Sequence, residues 1–330
     1  MADSSNKFEL VYRRELRKIE KIFSKIFVKS NPQSVYEPIN YVLQGGGKRI
    51  RPFLVLSSAH AVGAEFKDVS NAAIAVEILH NFTLVHDDIM DKADKRRGRD
   101  TLHIRNNVDT AILAGDLMTA LAYNSLLKDC KNNSKDVISL FTKGVIEVCE
   151  GQSLDKDYEL QSDVSIKDYK VMIYKKTAAL LEMCCLLGAT ISKGKPDEIK
   201  ALGNYGKNLG MAFQIQDDLL DIAADEKNFG KKIGGDLVEG KKTYLFLRAL
   251  EKASGSDKEL LLDVIRNKGI DKSNIDKYKL LYLNLGVLED AQKEVIIYTN
   301  KAVSSLISIK NNYDKDLLKW FALTLLQRNK

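Results

Sequence analysis

Proline is scarce in this 330-residue chain: Pro32, Pro38, Pro52 and Pro196 are the only four, so residues 53–195 and 197–330 lack the strongest helix breaker. Strand signals are missing as well, because no alternating apolar and polar run is bounded by Asn-Gly turns. The four cysteines, Cys130, Cys149, Cys184 and Cys185, have no CxxC spacing, which argues against a structural zinc site or a disulfide framework and fits a reducing compartment. No uncharged run approaches about 18 residues, and the opening MADSSNKFELVYRRELRK has no apolar core. Neither a membrane span nor a secretion signal is expected, and a cytoplasmic location is. Charge of one sign is not in large excess: 51 Lys and Arg against 45 Asp and Glu leave +6, which does not demand a nucleic-acid partner but suits a phosphorylated substrate. With 45% hydrophobic and 29% charged residues, disordered and fibrous classes are excluded.

What is present points to helices. Segments 71–91 and 177–191 are rich in Ala, Leu, Ile and Met over more than about twelve residues, which favours buried helix over strand. Gly and polar punctuation falls at 45–47, 92–105, 161–165, 193–196, 228–242 and 254–258, and none of these stretches is long enough for an interdomain linker. The length admits one large domain or two of about 150 residues. The composition predicts an all-α chain.

Two short segments resemble each other, and both carry DDxxD inside apolar sequence: Asp87, Asp88 and Asp91 in DDIMD, and Asp217, Asp218 and Asp221 in DDLLD. On a helix advancing about 100° and 1.5 Å per residue, each set falls within an arc of about 100° and makes one acidic patch. Carboxylates this close repel and, half-buried, need a cation. Hard oxygen donors without His or Cys select magnesium, which binds through one or two carboxylates plus substrate phosphate. One such motif reads as a solvated helix face; two copies, both after apolar residues, read as paired metal-binding walls.

Cations gather beside glycine or beside these aspartates. Gly45–Gly47 lead into Lys48, Arg49 and Arg51, an anion cradle without the spacing of a P-loop. Residues 92–105 hold six Lys or Arg against two acids, starting right after Asp91. Residues 228–242 hold four glycines with Lys231, Lys232, Lys241 and Lys242, a lid able to bring ammonium groups onto phosphate. Carboxylates for magnesium and a ring of cations together describe a diphosphate site.

In their order and spacing, GGGKRIRP, DDIMD with RRGRDTLH, Gly151-Gln152 with Asp155, Lys176-Thr177, FQIQDDLLD and GKKIGGD with EGKKT resemble the trans-type isoprenyl (polyprenyl) diphosphate synthase family over nearly the whole chain. The resemblance implies a single-domain, all-α isoprenoid synthase fold spanning 1–330, with helices around a deep central cavity, aspartate-rich walls across its mouth, and a homodimer. It implies Asp87, Asp91 and Asp217 as main Mg²⁺ ligands, supported by Asp88, Asp218 and Asp221, with three ions bridging to an allylic diphosphate (dimethylallyl, geranyl or farnesyl). Arg96, Lys176, Thr177, Gln214, Lys231 and Lys241 would grip that diphosphate, and the aspartates with Lys176 and Lys231 carry catalysis. Lys48, Arg51, His80 and Arg97 would form the metal-free pocket for isopentenyl diphosphate. A lone His on an apolar helix is often a core residue, and only the resemblance moves His80 into binding; His60, His86 and His103 receive no role. The sequence departs from the family where Tyr244 and Leu245 replace a usual Leu-Pro.

Product length depends on the residues preceding the first aspartates. Phe82, five before Asp87, the small Thr83, four before, and the lack of an insertion in DDIMD resemble archaeal-type geranylgeranyl diphosphate synthases, so a C20 product is expected, with C15 farnesyl diphosphate or a longer chain as alternatives. Ideal helix geometry puts Val76, Leu79 and Thr83 within about 80° of Asp87 and Phe82 about 140° away. A non-catalytic prenyl-binding partner subunit would lack one triplet, and a class I terpene cyclase would carry an NSE-like second motif; this chain has two intact DDxxD sets.

Overall fold

The computed structural model describes residues 2–223 and 234–326, with side chains over 6–223 and 234–325. As the proline count predicts, the regular structure is helical: α1 Ala2–Phe23, α2 Gln33–Leu43, α3 Ile50–Ala61, α4 Phe66–Met90, α5 Leu102–Arg105, α6 Val108–Leu127, α7 Ser134–Leu160, α8 Ile166–Ile173, α9 Ala179–Ile191, α10 Pro196–Ala223, α11 Gly235–Val238, α12 Tyr244–Lys252, α13 Gly255–Asn267, α14 Ile275–Asn284, α15 Val287–Ser305 and α16 Asn312–Leu326. Among the described residues the sole strands are Lys95–Arg96 and Arg99–Asp100, an antiparallel hairpin. The prolines sit where a helix tolerates them or nearly so, with Pro52 in the first turn of α3 and Pro196 opening α10, while Pro38 lies inside α2.

Contacts divide the chain into two compact units. The first comprises Met1–Phe141, Cys184–Ile199 and Asn311–Leu317; the second comprises Thr142–Met183, Lys200–Lys310 and Leu318–Lys330. Four of the five boundaries fall inside α7, α9, α10 and α16, and the fifth, between Lys310 and Asn311, lies in the connection leading into α16.

In the first unit the 25-residue α4 lies along α6 and α3. A capping box between Glu65 and Asp68 starts α4, and Val69, Ala72, Ala73, Val76 and Leu79 are buried along it. Among the described helices, α6 alone matches a membrane span by length and apolar composition, yet it carries Asp109 and Asp116 and buries Ala111, Ala114, Met118 and Ala122. Its Gly115 lets α4 come close: a Cβ there would lie 2.3 Å from Nε2 of His86. In the second unit Tyr169, Ile173, Met211, Ile215, Leu219, Phe246 and Tyr282 form one apolar core beneath the second acidic motif.

Candidate active site

In the first unit, the last turn of α4 and the capping residue after it present Asp87, half-buried, and Asp91, exposed, while Asp88 turns inward and is 5% exposed. The side chain of Arg96, on the hairpin, clasps Oδ1 of Asp88 through Nε and Nη2, both at 2.7 Å. Burial pushes the Asp88 carboxyl up, and the Arg96 charge pulls the other way. Arg96, assigned by resemblance to the allylic diphosphate, is thus also the partner of Asp88.

The hairpin turns at Arg97 and Gly98, with φ of 53° and 74°, the left-handed pair that two-residue hairpin turns require. This turn aims Arg97 at the glycine loop, where its Nη1 donates to the Gly46 carbonyl. A Cβ on Gly47, whose φ is 136°, would lie 2.8 Å from the same guanidinium, so only glycine admits it. Nε of Arg51 and Nδ1 of His80 are buried and have no hydrogen-bond partner among the described residues. Burial, then the charges of Arg51, Arg97, Arg96 and Arg49, hold His80 well below the usual imidazole range, so it is neutral near pH 7. An open cleft of about 430 Å³ beside this group is lined by Asn81, Asp88, Arg96, Arg97 and Arg99. Lys48 is exposed, and its carbonyl accepts a hydrogen bond from Tyr12. Cationic Arg51 and Arg97, a neutral imidazole and two buried nitrogens without partners among the described residues gather here, a combination suited to an anion.

Val76 and Leu79 are 0% and 1% exposed, packed into the core of the unit. Phe82 and Thr83 are only half-buried. Thr83 Oγ1 bonds the His80 carbonyl at 2.8 Å, and the Phe82 ring stands edge-on to His86 at 4.7 Å. Of the four residues expected to govern chain length, Phe82 and Thr83 present accessible surface.

In the second unit, α10 repeats the arrangement. Asp218 is 5% exposed and accepts from Tyr169 Oη at 2.6 Å, Gln214 Nε2 at 3.0 Å and the Tyr244 backbone N–H at 3.2 Å. Burial, then the charge of Asp236, pushes its carboxyl up to about 7 against those donors. Asp217 and Asp221 are half-buried, and Asp221 accepts from the backbone of Asp236. The departure at Tyr244 and Leu245 falls on the first turn of α12, which Thr243 caps by accepting from the Phe246 N–H, so no proline is needed there.

Lys176 and Thr177 occupy a π-helical turn, Tyr174–Ala178, the kind of local widening found at functional sites. Lys176 pairs with Asp155 at 2.5 Å and Thr177 donates to Gln214 at 2.7 Å. The Gly151-Gln152 motif gains its reason here: a Cβ on Gly151 would lie 2.2 Å from the Lys176 backbone nitrogen, and one on Gly210 would lie 2.4 Å from Cα of Ala178. The turn is gripped between two glycines. Lys241 faces Glu239 at 2.7 Å and Asp236 at 3.8 Å; burial opposes its charge, but these acids raise its pKa on balance. Lys231 lies outside the described residues.

Among the described residues no three His, Cys, Asp or Glu side chains converge into a closed metal cage. The accessible pairs Asp87 with Asp91 and Asp217 with Asp221 each sit one helical turn apart on oxygen-only sites. Such pairs suit magnesium, which keeps several waters and completes its shell with phosphate oxygens.

Fold and acidic motifs define an all-α prenyltransferase of the isoprenoid synthase fold. The chain belongs to the polyprenyl synthetase family, whose model matches residues 32–281. It is 38% identical over 312 residues to a geranylgeranyl diphosphate synthase of Saccharolobus solfataricus, covering 93% of this chain and 94% of that one. It is 35% identical over 298 residues to a short chain isoprenyl diphosphate synthase of Methanothermobacter thermautotrophicus, covering 90% and 91%. The crystal structure of geranylgeranyl pyrophosphate synthetase from Pyrococcus horikoshii Ot3 matches it with a TM-score of 0.90 at 35% identity, over 97% of this chain and 99% of that one.

Proposed function

We propose that the chain, acting as one catalytic domain over 1–330, condenses isopentenyl diphosphate with an allylic diphosphate and extends a trans-isoprenoid chain to geranylgeranyl diphosphate, C20. The observation that carries this reading is the repeated motif in which one aspartate of each set is buried and tethered while two stay accessible, each set accompanied by its own cations. Magnesium, three ions in our reading, held by Asp87, Asp91 and Asp217, would neutralise charge on the departing pyrophosphate. Arg96, Lys176, Thr177, Gln214 and Lys241, with Lys231 outside the described residues, bind and orient the allylic diphosphate. Lys48, Arg51, Arg97 and neutral His80 hold isopentenyl diphosphate with its double bond toward the allylic carbon. The allylic C–O bond ionises, the isopentenyl double bond attacks the cation, and a proton leaves to the released pyrophosphate. Cations fixed before the reaction stabilise the charge that develops on the leaving group without reorganising.

The C20 product is supported by half-buried Phe82 and Thr83 and by the relatives' names. Incubating the protein and Mg²⁺ with isopentenyl diphosphate and each of dimethylallyl, geranyl and farnesyl diphosphate, then resolving dephosphorylated products by length, tests the reading; C15 or longer products would correct the length, and no product with any primer would remove the activity. We also propose a cytoplasmic homodimer, supported by the exposed apolar side chains Ile104, Val108, Ile112 and Leu113 on α5 and α6. A monomeric mass in solution would refute the dimer.

A further inference from the structure

Arg49 stands between two cations assigned to isopentenyl diphosphate, yet it cannot touch substrate, being 2% exposed. Its φ of 45° is a left-handed conformation that an arginine adopts only when its surroundings impose it. The surroundings do so from three helices. Nη1 meets Glu77 of α4 at 2.6 Å, Nη2 meets the Leu43 carbonyl of α2 at 2.6 Å, and Glu20 of α1 closes on Nε at 2.7 Å and on Nη2 at 3.3 Å. The guanidinium also lies 5.0 Å over the ring of Phe23, again on α1. One residue away, Tyr12 of α1 donates to the Lys48 carbonyl while its ring packs edge-on against Phe53 of α3 at 4.9 Å. Tyr12, Ile19, Glu20 and Phe23 are spaced to lie on one face of α1. The family model begins at residue 32 and does not include this helix.

We propose that α1 is a positioning strap: through Glu20 on Arg49 and Tyr12 on Lys48 it fixes the backbone of the glycine loop, and so sets how tightly Lys48 and Arg51 bind isopentenyl diphosphate without α1 meeting the substrate. The inference rests on the assignment of that loop to isopentenyl diphosphate. Because Glu77 still pairs with the buried Arg49 guanidinium at 2.6 Å, Glu20→Gln loosens the grip on Arg49 without leaving its charge unpaired in the core.

Steady-state kinetics of the full chain, with Mg²⁺ and each substrate varied in turn, test the strap alongside melting temperatures. Glu20→Gln is expected to raise KM for isopentenyl diphosphate about tenfold while KM for the allylic diphosphate and kcat stay within about twofold. Glu20→Asp should recover part of the loss, and Tyr12→Phe, which removes one hydroxyl, should raise the same KM by a smaller factor. An unchanged KM for isopentenyl diphosphate in both Glu20→Gln and Tyr12→Phe overturns the strap, and so does a uniform loss in all three parameters that follows the fall in melting temperature. Arg51→Gln, measured in parallel, separates the two levels. If it raises KM for isopentenyl diphosphate and the α1 variants do not, only the strap fails; if it leaves that KM unmoved, the substrate assignment of the loop fails first.

Discussion

Gly151→Ala puts one methyl group where a backbone already stands. The added Cβ would lie 2.2 Å from the Lys176 nitrogen, 2.6 Å from the Lys175 carbonyl carbon and 2.6 Å from Cα of Lys176, whereas ordinary contact starts near 3.4 Å. No rotamer relieves a clash with main chain, so α7 and the π-helical turn must part by about 1 Å, a misplacement that costs about 10²-fold when it carries substrate-binding groups. Overpacking of this kind destabilises by about 1–3 kcal/mol. With an unfolding entropy near 0.7 kcal/mol per degree for a chain this long, that is about 1.5–4 °C in melting temperature. Lys176 and Thr177 ride on the turn, so turnover should fall about 10²-fold, far beyond what a few degrees of stability explain at 25 °C. A thermal melt and steady-state kinetics with varied allylic diphosphate check both halves. A Gly151→Ala protein with wild-type melting temperature and wild-type kcat/KM would refute the clamp and the role given to the turn.

Thr83→Phe adds a ring at a half-buried position one turn before Asp87, with a strain of about 1–3 kcal/mol if its wall cannot yield; the product should move from C20 toward C15, and an unchanged length distribution from the folded, active variant would mean this face does not limit the chain. For Asp218, the folded carboxyl titrates near 7 against 3.8 ordinarily, so the folded state favours the proton. Its contribution to stability is complete below about pH 4 and is lost as pH rises through 7. Metal-free protein should therefore lose stability across that window and Asp218→Asn should flatten the loss; melting curves from pH 4 to 8 in chelator that coincide for the two proteins would overturn the assignment.

The sequence makes the helical class and the chemistry legible because both are local. Four prolines permit long helices, and DDxxD states its own geometry. What it conceals is long-range. Lys48 and Arg51 stand out beside the glycines, but nothing local says that Arg49 between them is buried against Glu20 and Glu77, 29 and 28 residues away. Tyr169 reaches Asp218 across 49 residues, and no local signal marks Tyr169. Helix periodicity puts Val76 and Leu79 on the Asp87 side, yet packing seals both and leaves Phe82, at the unfavourable angle, half-open. Most of the unit boundaries fall within helices, so loop composition does not advertise them.

The two acidic motifs share one construction that spacing alone explains. Residues i and i+4 point nearly the same way on a helix, whereas i+1 is turned about 100° from i. In both motifs i and i+4 face accessible space, as Asp87 with Asp91 and Asp217 with Asp221, and i+1 enters the protein, where Asp88 meets Arg96 and Asp218 meets Tyr169, Gln214 and the Tyr244 N–H. The inner carboxylate therefore fixes the rotation of its helix and leaves the outer two accessible, and our proposal puts magnesium on Asp87, Asp91 and Asp217 among them. Asparagine keeps an acceptor oxygen but no charge, so the two kinds of position should respond differently. Asp87→Asn and Asp217→Asn lose charge where it faces the metal and should lower kcat by about 10²-fold or more, with a raised Mg²⁺ requirement. Asp88→Asn and Asp218→Asn retain the tethering oxygen, so their loss should be smaller and appear in melting temperature as much as in kcat. Magnesium titrations of the four variants decide it: an inner variant with a larger kcat defect and weaker Mg²⁺ dependence than its outer neighbour would make the buried aspartate the metal ligand and reverse the assignment.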